Sequence, residues 1–434
     1  MITIFVNCNR PDMDYYLSAR RVTTVMDRRS FLVAGLGLAG GARSGRAAPA
    51  AIEKVKDLVV YSSPNHYCGP GPGVVRLPGG ELVLAFRRSP FNEWAHGHPD
   101  VEACLVRSRD QGATWSEPQV FDSGAITNQN LTLTTDNTLV CASHGMQLVS
   151  ERVYRAVLAR PETASDASRL TVRVQTAAGA EEKPTATGYY AVEQGTYLRR
   201  STDSGRTWSQ RYWIDIPEIP AALPGLSSAL YLRGPVVELR EGELALAVYT
   251  NELRNGQPAR RSLLVLSHDG GRTWTLAGTI AVSAPPVGFD ETEVYECPSG
   301  KLVAFMRVSH PDRGEMKLYT ASSRDVGRTW SRPQRREVWG HPFHPLRMAS
   351  GRVLLTYGYR REPFGIRARL LDPECDEIDG AREVVLRDDG QHTDLGYPSA
   401  TLLPSGEALV TYYMNTRADQ GQARFIGGTI VRES

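Results

Sequence analysis

Five times along the chain an apolar or small residue is followed by two spacers, a glycine, one further spacer and an apolar run. The copies read LPGGELVLAF from Leu77, LREGELALAVY from Leu239, CPSGKLVAFMR from Cys297, MASGRVLLTYG from Met348 and LPSGEALVTYY from Leu403. A sixth, TTDNTLVCAS from Thr134, has Asn137 where the others have Gly, and Asn tolerates the same left-handed turn. Each copy predicts two strands joined by a tight turn. The chain is therefore expected to be all-β.

A second motif punctuates the hairpins: SRDQGATW (Ser108 to Trp115), STDSGRTW (Ser201 to Trp208), SHDGGRTW (Ser267 to Trp274) and SRDVGRTW (Ser323 to Trp330). Asp can accept from backbone N–H groups of its own loop, Gly takes a positive φ, and Trp covers apolar neighbours, which together close a turn between two strands. From turn Gly (Asn137 in the second repeat) to box Asp the spacing is 30, 66, 27 and 25 residues in the first four repeats. The second repeat thus carries an insertion near 150–194, in which strand-like VYRAVLA and RLTVRVQT flank a polar segment, read as a projecting hairpin, with a seventh repeat as the alternative. Repeats five and six lack the motif, and Asp372 to Asp376 reads as a remnant. A first strand around Leu58 to Tyr61 is expected to join the last repeat and close a ring, leaving only short protected edges. A residue set that recurs four times points to a recurring structural task, so chemistry is sought among residues that break the repeat.

Composition adds bounds. A formal net charge of +2 over 434 residues, with acids and bases balanced, gives no sign of a nucleic-acid partner or an anionic membrane surface. Arg28-Arg29-Ser30-Phe31-Leu32, an apolar Gly-rich run to Gly41 and Ala48-Pro49-Ala50 predict a twin-arginine export signal over 26–50. The run is about half the ~20 residues a bilayer span needs. Residues 1–25 read as an upstream mis-start. Of the six cysteines, the five after the leader fit no zinc spacing and read as buried single thiols. No metal or cofactor is expected.

The Ser-x-Asp-x-Gly-x-Thr-Trp turn is the Asp-box, and after its leader nearly the whole chain resembles the sialidase and related Asp-box β-propeller superfamily. The resemblance implies a six-bladed β-propeller, the seven-bladed form being the alternative, with the boxes on the rim and a pocket on the axis. It also implies site residues. Glu291, in Phe289 to Glu296, falls on the family's catalytic glutamate, and Arg307, at the end of the same hairpin, on one arginine of its carboxylate-binding cluster. Tyr397, in Asp394-Leu395-Gly396-Tyr397-Pro398-Ser399, matches the nucleophilic tyrosine. A phenol needs a carboxylate to take its proton, the part given to Glu291. A neutral phenol also avoids repelling a sugar carboxylate, and sialidases are exceptions to the two-carboxylate rule. Asp100, eight residues before Ser108, takes the acid/base place, with His98 as its substitute. Arg360, then Arg361 and Arg367, are candidates for the last cluster arginine. Arg233 and Asp394 complete the candidate substrate-binding set.

The likeness breaks at one place. Where the family has the first cluster arginine, this chain reads Cys68-Gly69-Pro70-Gly71-Pro72-Gly73. Losing one charge-assisted fork removes about 1.5–3 kcal/mol, so the substrate is open between sialic acid, another acidic sugar and a neutral one, with Arg233, Arg87 or Arg88 as compensating groups. The expected activity is an exported exo-glycoside hydrolase acting on a terminal, acidic sugar of a glycan. The alternatives are a polysaccharide lyase using His98 or His96 with a tyrosine, and a non-catalytic glycan-binding propeller.

Overall fold

The computed structural model describes residues 51–90, 99–160, 163, 166–169, 171–176, 179–184, 190–254, 257–283, 286–415 and 424–434. Six antiparallel sheets follow one another around a ring as the blades of a propeller. In blade one the order from the axis outward is His66–Cys68 with Gly73–Arg76, then Leu82–Pro90, Glu102–Ser108 and Gln119–Ser123. Blade two uses Ile126–Leu133, Leu139–Val149, Tyr190–Ser201 and Tyr212–Trp213. Blade three begins with Tyr231–Leu232 and Val237–Glu238 and continues through Leu244–Arg254, Gln257–Ser267 and Thr275–Val282. Blade four comprises Gly288–Glu296, Leu302–Ser309, Lys317–Ser323 and Gln334–Trp339. Blade five comprises Phe343–Arg347, Val353–Tyr359, Gly365–Leu371 and Glu383–Arg387. Blade six runs Gly396–Leu402, Ala408–Met414 and Phe425–Glu433, and its outermost strand is Ile52–Tyr61 from the start of the described chain.

That last pairing, Ile52 with Glu433 through to Tyr61 with Ile426, closes the ring as expected. The second strand of each blade is sandwiched between neighbouring blades, so it reads as an unbroken apolar run and not as an alternation. Leu82 to Phe86 and Ala408 to Met414 are buried at every position. The core lies between blades: Val74, Leu84 and Val106 of blade one pack with Leu409 and Ile430 of blade six.

The four Ser-x-Asp turns sit between the third and fourth strands of blades one to four, on the rim. In STDSGRTW the Ser201 hydroxyl donates to Asp203 at 2.7 Å, Gly205 N donates to Ser201 at 2.8 Å and Thr207 N donates to Asp203 at 2.9 Å. The other three turns repeat these bonds. Each turn glycine faces a leucine of the preceding blade, as Gly327 faces Leu264.

The blade-two insertion forms no seventh blade among the described residues. Part of it is the expected hairpin, Thr171–Thr176 with Gly179–Pro184. The segment VYRAVLA, read as strand-like, instead lies in the helix Glu151–Leu158, with Ser150 accepting from Val153 N at its start. Tyr154 and Val157 are its buried face, and they pack with Val192 and Ala222. None of the helices among the described residues is long and apolar enough to cross a membrane.

Candidate active site

Three inner strands carry a bulge at the same depth, and each bulge holds a non-glycine residue at positive φ: Asn128 (57°) in blade two, Glu291 (41°) in blade four and Tyr397 (51°) in blade six. The ladders skip there, between Thr127 and Asn130, Asp290 and Glu293, and Gly396 and Ser399. A bulge re-aims the side chain of its extra residue and is over-represented beside functional sites, and a left-handed non-glycine residue costs about 1–3 kcal/mol that the surroundings must hold. Asn128 spends its amide on the Leu232 carbonyl at 3.1 Å, tying blade two to blade three. Glu291 and Tyr397 are aimed at each other. The Tyr397 hydroxyl donates to Glu291 Oε1 at 2.5 Å, across 106 residues of chain.

Arg307 completes the group. Its Nη1 donates to the second Glu291 oxygen and lies 3.2 Å from the Tyr397 hydroxyl. Burial alone would raise the Glu291 pKa, but Arg307 and the phenol's hydrogen bond outweigh it and hold the carboxyl below the usual range. Burial and the adjacent carboxylate push the Tyr397 phenol well above its own. The resting pair is thus a carboxylate accepting from a neutral phenol. Behind it, Asp290 binds Arg260, accepts from Ser309 Oγ at 2.6 Å and lies 3.6 Å from Arg307 Nε, bracing the arginine from its far side.

Two further guanidinium groups cover the Tyr397 ring, Arg233 at 5.2 Å and Arg360 at 5.5 Å from its centroid. Arg233 donates to the Pro398 carbonyl at 2.7 Å and lies 3.6 Å from Glu293. Glu293 is in turn bonded to His344 Nδ1 at 2.7 Å. Arg360 donates to the Leu395 carbonyl at 3.1 Å and to the Tyr413 hydroxyl at 3.4 Å, not to a carboxylate. Asp394 pairs with Arg424 and accepts from the Tyr413 hydroxyl. Burial opposes its charge, but Arg424 and Arg360 hold it well below the ordinary carboxylate range. The Asp394 to Tyr397 segment is anchored by Asn415, which donates to the Asp394 carbonyl at 2.6 Å and accepts from Gln391 N at 2.9 Å. Gly396 is required there: a Cβ on it would lie 2.9 Å from Gly358 Cα of blade five.

Of the candidates read from the sequence, Glu291, Tyr397, Arg307, Arg360, Arg233 and Asp394 are thus brought together. Arg367 is placed elsewhere: it stacks on Tyr359 at 4.4 Å and donates to the carbonyls of Pro363, Ile366 and Arg387 on the flank of blade five. Asp100 is exposed, just ahead of Glu102–Ser108; residues 91–98, including His96 and His98, lie outside the described residues.

The segment Cys68-Gly69-Pro70 is approached by a side chain from the next strand. Arg87 is 1% exposed, and its guanidinium lies where a Cβ on Gly69 would be, 2.2 Å from Nε. Burial and Arg424 lower its pKa to about 10, opposed by Tyr413, Asp394 and Tyr397, which places its charge beside the cluster. The absence of a side chain at Gly69 is what lets Arg87 through. Sequence reasoning named Arg87 only as a substitute and missed Arg260, Asp290, Tyr413 and Arg424. Asp290 adjoins Glu291, a cue that could have found it. Arg260 sits in an ordinary-looking strand, ARRSLLVL, which offers none.

A fold of six blades with a Tyr–Glu–Arg group on the axis defines a propeller with one central polar site. The chain belongs to the BNR repeat-like domain family, whose model matches residues 157–409. It is 28% identical over 246 residues to a sialidase of Micromonospora viridifaciens, covering 55% of this chain and 32% of that protein. The chain thus spans about a third of that relative's length. A protein of unknown function from Dyadobacter fermentans has a similar structure, with a TM-score of 0.74 and 32% identity over 88% of this chain and 99% of that one. A Hadza microbial sialidase shares the fold at a TM-score of 0.57 and 16% identity, over 84% of this chain and 65% of that one.

Proposed function

We propose that the protein is a retaining exo-glycoside hydrolase acting on a terminal acidic sugar of a glycan, with Tyr397 as nucleophile, Glu291 as its base and Asp100 as acid/base. The 2.5 Å hydrogen bond from Tyr397 to Glu291, with Arg307 touching both, carries the reading. Membership of the family and the likeness to sialidases support a glycosidase-type activity. In the first step Glu291 takes the phenolic proton while Tyr397 Oη forms a bond to the anomeric carbon. The bond to the leaving oxygen breaks, and Asp100 protonates that oxygen. In the second step Asp100 accepts a proton from water, whose oxygen displaces Tyr397, and Glu291 returns the proton to the phenolate. The tyrosyl intermediate divides one difficult displacement into two easier ones.

Arg360 and Arg307, with Arg233 and Arg87 beside them, favour a sugar bearing a carboxylate. Arg360, over the Tyr397 ring, has no carboxylate partner within 4.0 Å among the described residues. Two parallel bonds from a guanidinium fork fit a carboxylate in a way Lys cannot reproduce. We read residues 26–50 as the export signal that brings this activity to external glycans.

Hydrolysis of a panel of aryl glycosides, including nonulosonic acids, uronic acids and neutral sugars, tests the proposal with Tyr397→Phe as control. Release of phenol from an acidic glycoside by the wild type, reduced at least about a hundredfold in Tyr397→Phe, is the expected result. Equal rates for the two proteins would overturn it. Unsaturated-uronate absorbance with uronic-acid polymers would favour a lyase.

A further inference from the structure

On the rim, blades four and five are clamped together around two thiols. Cys297 ends the inner strand of blade four, and Cys375 lies in the loop between Gly365–Leu371 and Glu383–Arg387 of blade five. Cys297 Sγ donates to the carbonyl of Glu374, the residue directly before Cys375, at 3.5 Å. Both residues belong to one apolar cluster with Val303, Leu371 and Ile378. The loop is pinned on either side of Cys375. Ser299 donates to the Glu374 carboxylate from its N–H at 3.0 Å and its hydroxyl at 2.6 Å, and Lys301 Nζ meets Asp376 at 2.7 Å. Cys375 also forms part of the wall of a surface cleft with Val303, Thr320, Gln334, Arg336 and Asp376.

Two thiols that neighbour each other across a blade boundary, with their loop held from both flanks and Cys375 on the wall of a cleft, are arranged for a reaction that a lone buried cysteine cannot undergo. We propose that Cys297 and Cys375 are a modification site for small-molecule disulfides, which convert the pair to a cystine joining blade four to blade five. The Cys375 sulfur, after losing its proton to solvent, attacks one sulfur of the reagent. The reagent's S–S bond breaks and one thiol leaves. The Cys297 sulfur, losing its own proton, then displaces the second thiol from the mixed disulfide. Two protein thiols are oxidised by two electrons, and the reagent is reduced to two thiols. The neighbouring Cys297 and burial both push the Cys375 thiol up, so the reaction is slow, because exchange requires a thiolate.

The site sits at the end of the hairpin that carries Glu291 and Arg307 but touches neither. Closing the loop between residues 297 and 375 restricts the unfolded chain, so the oxidised protein is expected to melt at a higher temperature with its turnover unchanged. The test is incubation of the folded protein with oxidised glutathione, followed by unfolding, alkylation with N-ethylmaleimide and peptide mapping. Cys297 and Cys375 fall in separate tryptic peptides ending at Lys301 and Arg382. The expected result is that these two peptides appear joined, separate again with dithiothreitol, and that Cys297→Ser stops at a glutathione adduct on Cys375. The wild-type map decides alone should that variant not fold. Both peptides fully alkylated after prolonged oxidation, or cross-links through Cys68, Cys104 or Cys141 instead, would overturn the proposal.

Discussion

Glu291 and Tyr397 are held by backbone that no strand ladder would choose, and the mechanism proposed for them is testable residue by residue. Arg307 keeps Glu291 ionised and the bulge points it at the phenol, so removing the carboxylate charge should remove the base without removing the fold. Glu291→Gln is expected to lower turnover by about 10²–10⁴-fold with an unchanged far-ultraviolet circular dichroism spectrum. Arg360→Lys keeps a cation but loses the fork, and KM for an acidic aryl glycoside is expected to rise about tenfold with kcat nearly constant. Away from the site, Asp166 is 7% exposed and bonded to the Tyr231 hydroxyl at 3.1 Å. Burial raises its pKa to about 7. The folded state therefore binds more protons than the unfolded state between about pH 4 and 7, and stability falls as pH rises through that window. Asp166→Asn should be more stable than wild type at pH 7 by up to roughly 4 kcal/mol, at 1.36 kcal/mol per unit. Thermal melts should show the gap closing towards pH 4. Glu291, Tyr397 and Arg307 were legible in the sequence because they occupy motif positions at fixed offsets from a hairpin turn. Arg87 could be named only as one of three substitutes, because its placement depends on a side chain passing over Gly69, a relation between adjacent strands that spacing does not carry.

At the scale of elements, the hairpins and turns were readable because each has its own local chemistry: a residue at positive φ in the turn, an acceptor for its loop, a Trp over its base. The helix Glu151–Leu158 was not, because a run with Val, Tyr and Leu over eight residues satisfies a strand and a short amphipathic helix alike. Its docking against Val192 and Ala222 decides the matter. The box turns make a prediction of their own. Hydrogen bonds from the turn threonines hold Asp110 and Asp325 at a pKa of about 2, and the same bonds outweigh burial at Asp269, also about 2. A carboxyl depressed in the folded state contributes stability that is present above its unfolded pKa of about 3.9 and lost as pH falls towards 2. Melting temperature should therefore drop between pH 4 and 2.5, and Asp269→Asn should melt lower at pH 7 with a shallower acid limb. Activity of that variant at 25 °C should match wild type, since its turn lies on the rim.

Over the whole molecule, six blades were countable from the repeats and the resemblance implied a pocket on their axis, but the bracing of that pocket by Arg260, Asp290, Tyr413 and Arg424 was not legible. Residues as far apart as Arg87 and Arg424 meet only once the ring is closed. Closure depends on Ile52–Tyr61, which supplies the outer strand of blade six beside Phe425–Glu433. Deleting residues 51–61 would bare that edge and open the apolar layer shared by blades one and six, so the truncated chain is expected to aggregate on expression. The central claim is that the tyrosine becomes covalently bound to sugar. The most direct measurement is peptide mass mapping of the wild-type enzyme, acid-quenched during steady-state hydrolysis of its best acidic aryl glycoside. The account predicts a glycosyl adduct on the peptide containing Tyr397, absent from Tyr397→Phe, with the released sugar retaining its anomeric configuration. Turnover with inversion, or an adduct on any other residue, would contradict it.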